Sequence, residues 1–199
     1  MNVFESRGYP RAVKLNGNTV QLTAMNAGDG AALAAFVKTL SAHDLTFVRR
    51  DITHPKVLDA WMRAVDEGGI VSLAAREGDT LVGCTAIVVD ALSWSRHVGE
   101  LRVLVAPEWR GRGLGRVLIQ ECFALALGLG LSKLTVQMTV DQTAAIAVFE
   151  ELGFRAEAVL RDQVKDRDGQ LHDLALLSHD VAAVQSRLEA YGVPEALND

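Results

Sequence analysis

Cysteine is scarce in this chain. Its 199 residues hold two, Cys84 and Cys122, each inside an apolar run, which excludes a disulfide-stapled scaffold and points to two reduced core thiols. Basic charge is short as well: 20 Lys and Arg stand against 25 Asp and Glu, a formal net charge of -5. A non-specific nucleic-acid binder needs the opposite balance, although a local cluster of arginines can still hold an anionic ligand. No uninterrupted apolar run approaches the roughly 18 residues of a membrane span, and Met1–Pro10 lacks the hydrophobic stretch of a secretory signal. These absences set the expectation of a cytoplasmic protein without nucleic-acid or membrane partners. What is present, 49% apolar and 23% charged residues, is the balance of an ordinary globular domain, with length for one sizeable core.

Periodicity organises the chain. Residues 1–18 read as an arm and the first strand of a hairpin, in which Val13–Leu15 and Thr19–Thr23 alternate on either side of Asn16-Gly17. Asp29 is expected to cap a helix over 31–40 with Leu33, Phe36, Val37 and Leu40 on one stripe. A second helix follows Pro55 and ends at Gly68-Gly69. Strands are expected over 70–76, 80–89 and 98–105, the first two joined by Gly78-Asp79. A helix from Gly113 to about Gly130 is apolar nearly all round and should be covered on more than one side. Then come a strand over 134–140, a helix over 142–152, and strands over 154–164 and 171–178 joined at Asp166–Gly169. A C-terminal helix and tail occupy 181–199. The order predicts an α/β (α+β) domain over 19–180, with one mixed central sheet and helices on both faces.

The segment Leu104-Val-Ala-Pro-Glu-Trp-Arg-Gly-Arg-Gly-Leu-Gly-Arg116 carries the chemistry. It leaves a strand, turns at Pro107, becomes glycine-rich and enters a helix. The first N–H groups of a helix have no internal partner and carry about half a positive charge, so a phosphate can sit there. Gly111, Gly113 and Gly115 remove the Cβ atoms that would hold a ligand off the backbone, and Arg110, Arg112 and Arg116 add charge suited to phosphate oxygens. No Gly-Lys-Ser/Thr ends the loop, and the glycines fall at alternate positions, so it is neither a Walker A loop nor a dinucleotide fingerprint.

Arg110-x-x-Gly113-x-Gly115, after a strand and Val-x-Pro, resembles motif A of the GCN5-related N-acetyltransferases, Gln/Arg-x-x-Gly-x-Gly/Ala, which binds the acyl-CoA pyrophosphate. About thirty residues on, Asp141-Gln-Thr-Ala-Ala-Ile-Ala-Val-Phe-Glu-Glu-Leu-Gly-Phe154 resembles that family's motif B. The strand pattern agrees from about Thr19 to Ser178. The resemblance implies a mostly antiparallel sheet with splayed middle strands, and acetyl-CoA as acyl donor, with no metal. The donor would lie on Leu104, Val105, Arg110, Gly111, Arg112, Gly113, Leu114, Gly115 and Arg116 and on the helix face of Gln142, Ala145 and Phe149. Direct transfer onto a primary amine of a small molecule or a protein lysine is then expected.

Deprotonating a lysine-type ammonium at pH 7 costs roughly 4.6 kcal/mol, so a general base is wanted. Glu100, on the strand that leads into the phosphate loop, is the candidate, with His97 as alternative and His172 and Asp173 on the acceptor side. Two positions depart from the family pattern. Phe149 stands where the family usually has a Tyr that protonates the departing thiolate, and Gln142 stands where it usually has Asn. An acyl-CoA sensor without transfer is the competing class. The Leu40–Asp44 loop is loosely similar to bacterial protein-lysine acetyltransferases. Trp61, Trp94 and Trp109 are expected to pack, with substrate contact the alternative for Trp94 in its polar loop, and the Phe154–Val164 edge offers a surface for a homodimer.

Overall fold

The computed structural model describes residues 3–46, 48 and 50–184. The hairpin forms as the alternation predicts: β1 (Arg11–Leu15) pairs antiparallel with β2 (Asn18–Ala24). Asn16 and Gly17 both take positive φ, 47° and 85°, the turn that matches strand twist. The arm before it is docked. A helical turn, α1 (Val3–Ser6), sets Val3 against Gly128, where a Cβ would meet Val3 Cγ2 at 2.7 Å. Tyr9 Oη donates to Glu121, and Arg11 pairs with the same carboxylate at 3.1 Å. This arm supplies the second cover that the apolar helix α4 (Leu114–Gly128) needs, since the sheet can take only one of its sides.

Helix α2 (Gly30–Val37) buries Leu33, Phe36 and Val37 as expected, but Asp29 does not cap it. A 3-10 turn precedes the helix, and Asn26 caps that turn, accepting from Gly28 N at 2.8 Å while Asp29 accepts from Asn26 N at 2.9 Å. The extra turn moves the cap three residues upstream, and Asp29 pairs with Arg76 instead. Helix α3 (Pro55–Asp66) starts at His54, whose Nδ1 accepts from Lys56 N at 3.2 Å, and buries Leu58, Trp61 and Met62.

The strand expected over 70–76 is two, β3 (Ile70–Val71) and β4 (Leu73–Glu77). Ser72 donates its hydroxyl to Thr85 O, and Thr85 Oγ1 accepts from Leu73 N at 3.1 Å. Two buried hydroxyls therefore replace ladder bonds at that point. The remaining strands are β5 (Thr80–Val88), β6 (Val98–Val105), β7 (Lys133–Thr139), β8 (Arg155–Lys165) and β9 (Leu171–Asp180), with α5 (Thr143–Glu151) between β7 and β8. The sheet order is β1-β2-β4-β5-β6-β7-β9-β8, with β3 also on β5. Every pairing is antiparallel except β6 with β7.

That parallel pair positions the site. It is laddered only at Val98–Glu100 against Lys133–Thr135, where Gly99 lets the strands close: a Cβ there would meet Ile87 and Leu131 at 2.8 Å. Beyond Glu100 the two strands part. Leu101, Ile119, Val136, Met138 and Phe149 share the core cluster on the α4–α5 side. Leu104 joins Leu33 and Phe36 in the other large cluster. Cys84 and Cys122 are buried free thiols, each pushed up to about 12 by burial. Among the described residues no helix is long and apolar enough to cross a membrane. Val181 to Val184 begin a helix; 185–199, where the tail was expected, lie outside the described residues.

Candidate active site

Where β6 and β7 part, a cavity of about 680 Å³ opens. Its walls are Val103–Val105 on one strand and Val136–Met138 on the other, and it reaches the loop before α4 and the first turns of α5. Leu104, Val105, Arg110, Gly111, Gly113, Gly115, Arg116, Gln142, Ala145 and Phe149, all expected from sequence, line it together.

The loop is built as its glycines require. Gly111 and Gly113 take φ of 68° and 91°, a region costly to residues with a Cβ. Gly113 is the N-cap of α4; it offers no side-chain cap, and the helix has no acidic residue in its first turn. The positive end of α4 is thus left facing the cavity. Gly115 has a different reason. A Cβ there would meet nothing closer than Val105 Cγ2 at 3.8 Å, so the fold does not demand glycine, and the space belongs to whatever approaches the helix end.

The three arginines divide. Arg110 pairs with Asp44 at 2.9 Å and reaches Val105 O at 3.4 Å. Arg116 pairs with Glu151 of α5. Arg112 lies over the Trp109 ring, 5.3 Å from its centroid, and does not line the cavity. Leu114 is fully buried and does not line the cavity.

Glu100 also lies off the cavity. It sits at the last laddered position, opposite Thr135, and its carboxylate accepts from Arg102 Nε at 3.0 Å and Nη2 at 2.9 Å. By strand alternation it shares a sheet face with Gln137. His97 stands at the far end of β6, where its carbonyl accepts from Ser132 and Lys133. Trp94 is fully exposed and lines neither this cavity nor the second one described below. Asp173 accepts from Asp162 N at 2.9 Å, and His172 pairs with Asp166 at 2.7 Å.

Sequence reasoning singled out the Leu40–Asp44 loop and the motif that opens at Asp141 but gave the side chains of the far wall no role in the site. Leu40, His43 and Asp44 line the cavity from the loop after α2, and Asp141 lines it from the turn before α5. His43 Nε2 meets Asp141 Oδ2 at 3.1 Å, and its ring stands edge-on to that of His172 with centroids 6.1 Å apart. Ser41 and Asp44 form a reciprocal box, Ser41 N to Asp44 at 2.8 Å and Asp44 N to Ser41 Oγ at 3.1 Å. That spacing was readable as a turn signal; its meeting with Arg110 was not. Burial pushes the Asp44 carboxyl up, but hydrogen bonds from Arg110 and Ser41 outweigh this and hold it below the usual range. Asp141 is held below the usual carboxylate range, first by the neighbouring Thr139 and then by its surroundings, His43 and His172 among them.

A second cavity, also about 680 Å³, lies on the other side of the same loop. Ala42, Leu45 and Thr46 line it, with Asp51, Gln163 and Asp166 from the surrounding strands and loops, and Gln137 lines both cavities. Among the described residues no group of three or more His, Cys, Asp or Glu is placed to hold a metal ion.

Comparison with known proteins agrees with this geometry. A sequence model of the Acetyltransferase (GNAT) family matches residues 36–154, and the chain belongs to that family. It is 37% identical over 83 residues to the IAA acetyltransferase of Azospirillum brasilense, covering 41% of this chain and 52% of that protein. It is 27% identical over 107 residues to the L-amino acid N-acetyltransferase AaaT of Escherichia coli K12, covering 53% and 66%. The chain thus spans about half to two thirds of the length of these relatives. Its fold matches that of yncA, a putative acetyltransferase from Salmonella typhimurium solved with its cofactor acetyl-CoA. The TM-score is 0.70 at 22% identity over 81% of this chain and 94% of that one.

Proposed function

We propose that this chain is an N-acetyltransferase that moves the acetyl group of acetyl-CoA directly onto a primary amine, of a small molecule or of a protein lysine. One observation carries the reading: the uncapped positive end of α4, with left-handed Gly113 at its start, closes one end of the cavity between the parted strands. Two linked phosphates fit that end, because they need backbone N–H groups without intervening Cβ atoms. The parted strands offer Leu104 and Val105 backbone to an extended pantetheine arm as an added strand would. When bound, acetyl-CoA supplies an activated acyl group on a fair leaving thiol.

The chain's own residues supply position and proton handling. Gly111, Gly113 and Gly115 admit the anionic end, Arg110 and Arg116 flank it, and Gln142, Ala145 and Phe149 close over the thioester end. The acceptor enters from the second cavity, whose shared Gln137 marks where the two meet. Glu100, on that sheet face and held by Arg102, draws the first proton from the incoming ammonium through water. The protein works in a cytoplasmic setting, and the β8 edge serves as the pairing surface of a homodimer.

The test is thiol release from acetyl-CoA with a panel of spermidine, L-amino acids, an alanyl peptide and a lysyl peptide. Release with at least one amine is expected, and Glu100→Gln should keep cofactor affinity while lowering the rate. Tight CoA binding with silence across the panel favours a sensor instead; an unchanged rate in Glu100→Gln removes Glu100 from the mechanism.

A further inference from the structure

Transfer from a thioester to an ammonium moves two protons. One leaves before attack. The second leaves the nitrogen as the N–C bond forms, and the sulfur takes one up as the C–S bond breaks. Phe149, which lines the cavity, has no proton to give. Among the described residues that line it there is no Tyr, Cys or Lys. Asp44 is committed to Arg110 and Ser41, and a carboxylate already bound this way is a weak proton carrier near neutrality. Arg110 and Arg116 do not release protons. Asp141 is committed to His43, which leaves His43 as the described lining side chain whose ring can both accept and donate a proton.

Its placement suits that work. The loop 40–46 is the wall between the two cavities, with His43 and Asp44 on the donor side and Ala42, Leu45 and Thr46 on the other. Asp141 holds Nε2 at 3.1 Å, which orients the ring, supports its cation and leaves Nδ1 as the exchanging nitrogen. The charged and titratable groups around the ring are Asp141, His172 with its partner Asp166, and the Asp44–Arg110 pair.

We infer that His43 is a proton shuttle for the acetyl transfer proposed above: it takes the second proton from the amine nitrogen as the N–C bond forms and hands it to the sulfur as the C–S bond breaks, with Asp141 as its positioning residue. The proton that leaves nitrogen ends on the thiol, and nothing else is consumed.

This rests on the acetyltransferase reading, and the test separates the two. His43→Gln should bind acetyl-CoA with wild-type heat in calorimetry, while kcat with the best amine of the panel falls about 100-fold and its pH profile changes shape. Asp141→Asn should lower kcat about 10-fold and shift that profile. In His43→Ala, added imidazole should restore part of the rate. Independently of turnover, bromoacetyl-CoA should alkylate the wild-type imidazole of His43, located by peptide mass spectrometry, and excess CoA should protect it. Wild-type kcat in His43→Gln, or labelling that spares His43, overturns the shuttle. Silence of the wild type toward CoA or toward every amine overturns the underlying reading, and the shuttle with it.

Discussion

The loop before α4 and the loop after α2 face each other across one cavity and meet at the Arg110–Asp44 ion pair. The first works through its backbone. Positive φ at Gly111 and Gly113, an open space at Gly115 and bare helix N–H groups are demands that only certain residues meet, so the sequence displays them. The second works through side chains, His43 and Asp44, whose meaning depends on Asp141 and Arg110, each more than sixty positions away. A backbone requirement leaves a letter code; a side-chain encounter made by tertiary folding does not. Donor binding is the part of such a site that sequence exposes, and acceptor chemistry the part it hides.

Gly113→Asp attacks the legible side. It forces a Cβ into φ of 91° and sets a carboxylate against the helix end, so acetyl-CoA binding should weaken by at least about 100-fold in calorimetry. Wild-type affinity would mean that the loop does not hold the donor.

Gly153 is the control, a glycine in the second motif that lines neither cavity. Its φ is 92°, and a Cβ would stand 3.0 Å from His179 Nε2. Gly153→Ala should cost about 2 kcal/mol, a fall in Tm of roughly 4–8 °C, without a specific loss of donor affinity. An unchanged Tm would break the distinction between glycines kept for ligand and glycines kept for fold.

The neighbouring His179, edge-on to Phe123 and Phe154, sharpens the same point. Burial holds its pKa below the 6.5 of an exposed imidazole. As pH falls, the unfolded chain therefore takes up this proton first, and stability present above 6.5 is lost below it. The free energy of unfolding should fall more steeply between pH 6.5 and 5.5 in wild type than in His179→Gln. Parallel behaviour of the two would remove His179 from the stability balance.

The smallest effect lies at the seam. Asp44→Asn frees Arg110 and removes a negative charge beside the phosphate site, so acetyl-CoA affinity should rise about 2- to 5-fold. A weaker affinity would show that Asp44 holds Arg110 in its binding posture rather than competing for it.

Much of the fold was legible because period and punctuation agree with it. The hairpin at Asn16-Gly17, the core stripe of α2 and the bounds of β6 follow from turn chemistry and apolar spacing alone. Elsewhere a local signal was outbid. Asp29 reads as a helix cap, but Arg76, 47 residues away, claims it. The strand after Gly69 reads as one run, but the hydroxyls of Ser72 and Thr85 divide it. The docked arm had no periodic signature, because Tyr9 and Arg11 gain their partner Glu121 only once α4 is in place. At the site, ten of the residues named in advance line the cavity, whereas Glu100, Arg112 and Leu114 do not. Alternation tells which face a strand residue takes, not how far along the strand the gap begins.

The central claim is that the α4 end grips a pyrophosphate, and truncating the ligand tests it most directly. Calorimetry with CoA should give saturable one-to-one heat, and pantetheine, which keeps the thiol arm but lacks the pyrophosphate, should bind at least about 100-fold more weakly. Equal affinities for the two, or no heat with CoA, would contradict the account.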